Sequence, residues 1–346
     1  MNPKYLLYTF FAVLALPACK PEQPAASRLA TAEARMKEIQ LKATVRNKQT
    51  YQQLPSASGM ELVDSMYYIV GDDSPFLYQL DARFNLTQRH MLFDTADFAT
   101  GRIPKPLKPD LEGMAHFTYG RDQMLLLLGS GSSEKRNRAF LVNLTDNMRV
   151  QELDFSRLYT FLKRVMRMEA DGELNIEGFA MDETYTYLLQ RALGAGTNVL
   201  FRFNTSDFKG FVMNKGEVPA VAVYHFALPK LGGYMAGFSG AFALDDKLFF
   251  TSSVESAPNA IVDGEVLGSL VGMIDLNALP YATDAANPLQ VPAAQLLNPD
   301  GSVYIGKAES LVVKAGTSRG SYDVVVVSDD DLGGSELMEV QLEVKE

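Results

Sequence analysis

A chain of 346 residues, 47% of them hydrophobic, holds enough apolar material for one large domain or two smaller ones. Its formal charge of −10 argues against nucleic acid or an anionic lipid surface as a main partner. The single cysteine, Cys19, leaves nothing after it for a disulfide, a thiolate metal site or a cysteine nucleophile.

The chain opens with Lys4 and an apolar run of twelve residues from Tyr5 to Leu16. A bilayer needs about 20 such residues, so the run reads as a signal peptide and not as a membrane span. Leu16-Pro17-Ala18-Cys19 resembles the lipobox of bacterial lipoproteins. The resemblance implies that residues 1–18 are removed and that Cys19 is lipidated. With Lys20 following the cysteine in place of an aspartate, it implies an outer-membrane anchor and a periplasmic or surface-exposed protein. Residues 19–43 read as a mobile tether, with a short helix in Arg28 to Lys42 suggested by Leu29, Ala32, Met36, Ile39 and Ala43.

From residue 44 to 346 the pattern changes to short strands of period two. One phrase recurs: Ser58-Gly59-Met60, Glu112-Gly113-Met114, Glu177-Gly178-Phe179, Ser239-Gly240-Ala241 and Glu309-Ser310-Leu311. Each copy opens a strand that is followed by a dense apolar strand, a polar turn and a third strand. The apolar strands are Met66–Val70, Gln123–Leu128, Thr184–Leu189, Lys247–Thr251 and Tyr322–Val327. A less apolar fourth strand follows, as in Leu86–Phe93 or Val221–Phe226.

Repeated four-stranded units predict an all-β fold, a five-bladed β-propeller. The last copy ends without a fourth strand, and the spare segment Thr44–Gln53 can supply it and latch the ring. A six-bladed ring with one degenerate unit and a pair of β-sandwiches are the alternatives. One helical insertion spans Ser156–Asp171, with Leu158, Phe161, Leu162, Val165 and Met168 on one face and Ser156 as N-cap. It either patches the connection between units two and three or offers Lys163, Arg164 and Arg167 to a partner.

The residue opening each inner strand should face the central channel. Ser58, Glu112, Glu177, Ser239 and Glu309 are therefore expected to ring one mouth, with Lys105, Lys108 and Arg191 as basic neighbours. Converging carboxylates need cations or protons between them. They either form a ligand site or accept backbone N–H groups of the next unit as structural pins. Ring closure sets Asp72 and Asp73 beside Asp329, Asp330 and Asp331, an oxygen-only group of a kind that suits calcium. Gly316-Thr317-Ser318-Arg319-Gly320 matches a nucleophile elbow in letters but lies in a β-hairpin, without the strand–turn–helix setting. His90, His116 and His225 are too scattered for a zinc site or a triad.

Asp110-Leu111-Glu112-Gly113-Met114-Ala115 and Asn175-Ile176-Glu177-Gly178-Phe179-Ala180 resemble a signature of phytase-like, or esterase-like, propellers. Ser58-Gly59-Met60 with Tyr68-Ile69-Val70-Gly71-Asp72-Asp73 is similar to a variant in related bacterial propellers. The resemblance covers about residues 45 to 346 and implies a propeller with calcium and phosphate at the channel mouth. The expected function is a membrane-anchored propeller that binds a small molecule or protein at that mouth without catalysis. The alternative is a calcium-dependent phosphoester or other ester hydrolase.

Overall fold

The computed structural model describes residues 25–94, 98, 101–169, 172–192, 196–256, 264–329 and 333–345. Cys19, Asp330 and Asp331 lie outside them.

The chain is mostly β, and its strands fall into successive antiparallel four-stranded groups. The first contains Ala57–Val63, Met66–Gly71, Phe76–Leu80 and Leu86–Met91. The second contains Leu111–Tyr119, Asp122–Gly129, Arg138–Asn143 and Arg149–Asp154. The third contains Ile176–Met181, Tyr185–Gln190, Asn198–Asn204 and Val221–Ala227, with Leu289–Gln290 added in parallel. The fourth contains Gly237–Leu244, Lys247–Glu255, Val266–Asp275 and Ala293–Leu297. The last contains Lys307–Ala315, Ser321–Asp329 and Ser335–Lys345.

The strand Gln40–Tyr51 completes the last group, antiparallel to Ser335–Lys345, from Gln40 opposite Lys345 to Tyr51 opposite Ser335. The spare N-terminal strand thus stands where the sequence reading put it. It also touches the fourth group through a short parallel pairing at Ala43 and Thr44. The inner strands meet in cyclic order: first with second, second with third, third with fourth, fourth with last, and last with first. The arrangement is β-propeller-like. Dry cores lie between neighbouring groups: Leu126, Leu128, Phe179 and Phe201 share one, and Phe249, Met273, Leu311 and Val326 another.

The recurring phrase has a physical cause. At each copy the register between inner strand and partner shifts, between Ala57 and Gly59, Leu111 and Gly113, Ile176 and Gly178, Phe238 and Gly240, and Ala308 and Ser310. The opening residue of every phrase is therefore the extra residue of a β-bulge, left out of the ladder, a device that re-aims a side chain. The next residue is small because the following group presses on it. A Cβ on Gly113 would lie 2.8 Å from the Phe179 side chain, and one on Gly240 would lie 2.5 Å from the Glu309 carbonyl oxygen. Both distances are shorter than packed atoms allow, so the phrase is the contact of each group with the next.

Among the described residues, three α-helices decorate the sheets. Helix α1 (Ala25–Glu38) covers most of the short helix expected over Arg28 to Lys42. Ala32 and Met36 are buried against the third and fourth groups, and Arg35 Nε holds Asp275 at 2.7 Å. Helix α2 (Ser156–Val165) is the predicted insertion. It packs through Leu158, Tyr159 and Leu162, and Tyr159 donates to the Gly129 carbonyl at 2.6 Å. The expected Ser156 cap is not made. The Asp154 carboxylate instead accepts the Ser156 N–H at 2.8 Å. Helix α3 (Thr205–Asn214) was not foreseen, although Asn204 caps it by accepting the Asp207 N–H at 3.2 Å and Phe208, Phe211 and Val212 form a helical face.

Candidate functional site

The five bulge residues divide into two kinds. Ser58 donates to the carbonyls of Leu111 and Val70, and Ser239 donates to the Ala308 carbonyl at 2.6 Å. Both hydroxyls are buried and tie their own inner strand to the next. Ser310 closes the circle by accepting the Met60 N–H at 3.0 Å. The serines expected at a ligand site are therefore engaged as pins between sheets.

The glutamates do not pin backbone. Glu177 accepts from the Asn175 side chain at 2.5 Å and lies 4.0 Å from Arg191, which donates to Glu255 at 2.7 Å. Glu309 lies 3.5 Å from Lys307, whose ammonium is also 3.9 Å from Glu255. Glu112 has no hydrogen bond or ion pair among the described residues. It shares a cavity of about 500 Å³ with Asp72, Lys108, Asp110, Arg136, Glu177 and Lys307. Lys105 and Lys135 stand exposed at its edge.

Asp110 organises one wall. It sits at φ 56°, a left-handed conformation that Asp tolerates better than most residues. Its buried carboxylate is held by Lys108 at 2.7 Å, Arg136 at 2.8 Å and the Ser130 hydroxyl at 2.6 Å. Lys108 reaches Asp72 at 2.5 Å as well. Carboxylate oxygens of Asp72, Asp110 and Glu112 all lie within 4.8 Å of one another. This trio is the oxygen cluster of the site, and it differs from the predicted one. Asp73 turns away to Arg102, whose Nε lies 2.8 Å from it, and Asp329 also faces that guanidinium. The Lys108 ammonium lies 2.5 Å from Asp72 and 2.7 Å from Asp110, so two of these three carboxylates already have a cation on them.

Burial dominates the electrostatics. It pushes the Glu112 carboxyl well above the ordinary range, and the carboxylates of Asp110, Glu177, Asp72 and Glu309 push the same way. Burial raises Glu309 to about 8 despite Lys307, and it raises Glu177 against the pull of Arg191 and Lys307. Burial opposes the charge on Lys108, but Asp72, Asp110 and Glu112 outweigh it and hold the ammonium above the usual lysine range. The mouth thus sets a carboxyl whose charged form is disfavoured, Glu112, beside ion pairs, a pattern concentrated at functional sites.

Of the residues singled out by sequence, the structure brings Glu112, Glu177, Arg191, Glu309, Lys105 and Lys108 to this mouth, with Asp72. Asp110, Arg136, Glu255 and Lys307 were missed as site residues. Asp110 and Lys307 each stand two places before a bulge glutamate, the one signal that could have found them.

No curated protein matches the chain by sequence. Among solved structures, the chain is similar to glutaminyl cyclase of Myxococcus xanthus at 12% identity, covering 89% of this chain and 99% of that one, with a TM-score of 0.48. It is similar to the arabinanase of Cellvibrio cellulosa at 12% identity, covering 85% and 92%, with a TM-score of 0.43. It is also similar to the aldose sugar dehydrogenase of Streptomyces coelicolor at 12% identity, covering 88% and 99%, with a TM-score of 0.44. Likeness at this level carries no activity across. Residues 53–342 match a family model described as a family of unknown function, DUF6929, and the chain belongs to that family.

Proposed function

We propose that the mouth cavity binds a small, polar, charged molecule, within a five-bladed propeller that a lipid on Cys19 tethers to the outer membrane. One observation carries the binding reading: the bulge glutamates are aimed at cations and open space, while the bulge serines hold backbone. A structural ring would use all five alike.

The cavity has the volume of a small-ligand site. Its lining of Lys105, Lys108, Arg136 and Lys307 against Asp72, Asp110, Glu112 and Glu177 offers donors and acceptors on facing walls. A melting-temperature screen of polar small molecules against the intact protein tests this. A ligand should raise the melting temperature of the wild type and leave the Glu112→Gln, Glu177→Gln double variant unmoved. A screen blank across charged and polyhydroxy classes would refute it. The tether is tested separately, by mass spectrometry for acyl chains on Cys19.

A second reading, hydrolysis of a phosphoester or other ester, draws on the contrast between Glu112 and Glu177. A carboxyl pushed well above its ordinary range near a second carboxyl that Arg191 pulls toward its charged form resembles a proton donor and its partner. It predicts turnover of some member of an ester panel, abolished by Glu112→Gln. The phytase-like version adds a calcium requirement, which the Lys108 ammonium argues against, so calcium and EDTA should leave the wild type's melting temperature unchanged.

A further inference from the structure

We infer that the ligand of the mouth is a zwitterion, entering with its ammonium group toward Glu112 and leaving its anionic group at Lys105 and Lys135. The inference rests on the binding reading above and narrows it to a substrate class.

The charges of the site are sorted by depth. In its inner part six carboxyl groups, Asp72, Asp110, Glu112, Glu177, Glu255 and Glu309, face four cations, Lys108, Arg136, Arg191 and Lys307. Each of these cations is already within 4.0 Å of at least one carboxylate. Glu112 is the carboxyl left without a hydrogen-bond or ion-pair partner among the described residues, and it lines the cavity.

The outer part has the opposite balance. Lys105 and Lys135 are exposed, line the same cavity and have no ion-pair partner among the described residues, and Glu173 is the exposed acid that also lines it. A cation at the floor therefore meets an unmatched acid, and an anion at the rim meets two unmatched ammonium groups. A dianion would press its inner charge against Glu177 and would have no cation left unpaired at the floor to receive it. A diamine would leave Lys105 and Lys135 facing its outer charge.

Binding of the ammonium group also moves a proton. Glu112 is surrounded by Asp72 and Asp110 on one wall, Glu177 and Glu309 on the other, and the Lys108 ammonium, and burial with these carboxylates pushes its carboxyl well above the ordinary range. A ligand cation beside it pulls the carboxyl back toward the charged form, so binding should be accompanied by release of a proton to solvent.

The test is isothermal titration of the full soluble chain with 6-aminohexanoate, 1,6-diaminohexane and adipate, in two buffers of different ionisation enthalpy. The zwitterion should bind at least about tenfold more tightly than either relative, the scale expected when one charged hydrogen bond is lost. Its apparent enthalpy should differ between the buffers through proton release. Glu112→Gln should remove that buffer dependence, and Lys105→Ala with Lys135→Ala should weaken 6-aminohexanoate while tightening 1,6-diaminohexane, whose outer ammonium no longer meets like charge. Equal or tighter binding of the diamine or of adipate overturns the zwitterion assignment and leaves the binding reading standing. Absence of binding by all three overturns the assignment, and the broader screen then decides the binding reading on its own.

Discussion

Ser58 and Ser239 occupy the same place in the repeat as Glu112, Glu177 and Glu309, on the same bulge, yet the two sets do opposite work. The serines are short, so their hydroxyls reach only the neighbouring strand and donate to its carbonyls. The glutamates are two atoms longer and pass beyond the backbone: Glu177 comes to 4.0 Å from Arg191 in the loop after its partner strand, Glu309 to 3.5 Å from Lys307 of its own strand, and Glu112 faces the cavity. A repeat position becomes available for chemistry when its structural task can be given to something else. At the second and third groups that task passes to backbone bonds, such as the Ile176 N–H donating to the Ser130 carbonyl at 2.8 Å.

The comparison breaks most easily at the contact both sets depend on. Gly240→Val would drive side-chain atoms into the Glu309 carbonyl and Ser310. Overpacking of this kind should cost about 3 kcal/mol or more, read as a lost or much earlier thermal transition. A mild effect would mean that the sheets can separate at the phrase.

Lys108→Met sharpens the carboxylate side. It leaves Asp72 and Asp110 short of a counter-charge in a buried place, a loss of about 3 kcal/mol at pH 8 by denaturant unfolding. The loss should shrink near pH 4, where carboxyl groups take up protons. Calcium should restore part of the lost stability in this variant alone, since removing the ammonium frees the oxygens of Asp72, Asp110 and Glu112.

Glu61 is a carboxylate that does the work of a pin. It accepts the N–H groups of Leu62 at 2.8 Å and of His116, in the second group, at 3.1 Å. Burial pushes it up from 4.5 to about 7 against the pull of those two bonds. The folded protein therefore holds this proton more tightly than the unfolded chain, and stability falls as pH rises from 4.5 to 7. Glu61→Gln should gain about 2 kcal/mol at pH 8 and nothing near pH 4. A gain independent of pH would show that the carboxylate is not the titrating group.

Much of this architecture was legible in the chain. The dense strands Met66–Val70, Gln123–Leu128 and Tyr322–Val327 stand out because both faces are dry, and Thr44–Gln53 was legible as a latch because the last unit lacked a strand. Helix α3 was hidden because the alignment of repeats ran directly from the third strand to the fourth, passing over the Asn204 cap. The bulges were hidden too: one extra residue in a strand leaves no mark in an alternation of apolar and polar residues. The split of the ring into an acidic arc and a hydroxyl arc was legible in the letters, but that the serines pin backbone while the glutamates do not is visible only in the hydrogen bonds. Asp110, Glu255 and Lys307 come together from different groups, which spacing along the chain does not show.

The central claim is that bulge serines carry the fold and bulge glutamates carry the site. The direct measurement compares two double variants, Ser58→Ala with Ser239→Ala and Glu112→Gln with Glu177→Gln, by melting temperature and by 6-aminohexanoate titration. The serine pair leaves buried carbonyls unpaired and should lose about 1–2 kcal/mol per site while binding as the wild type does. The glutamate pair should keep its melting temperature at pH 7 or raise it, and lose binding. A serine pair that loses binding while its melting temperature holds would contradict the account.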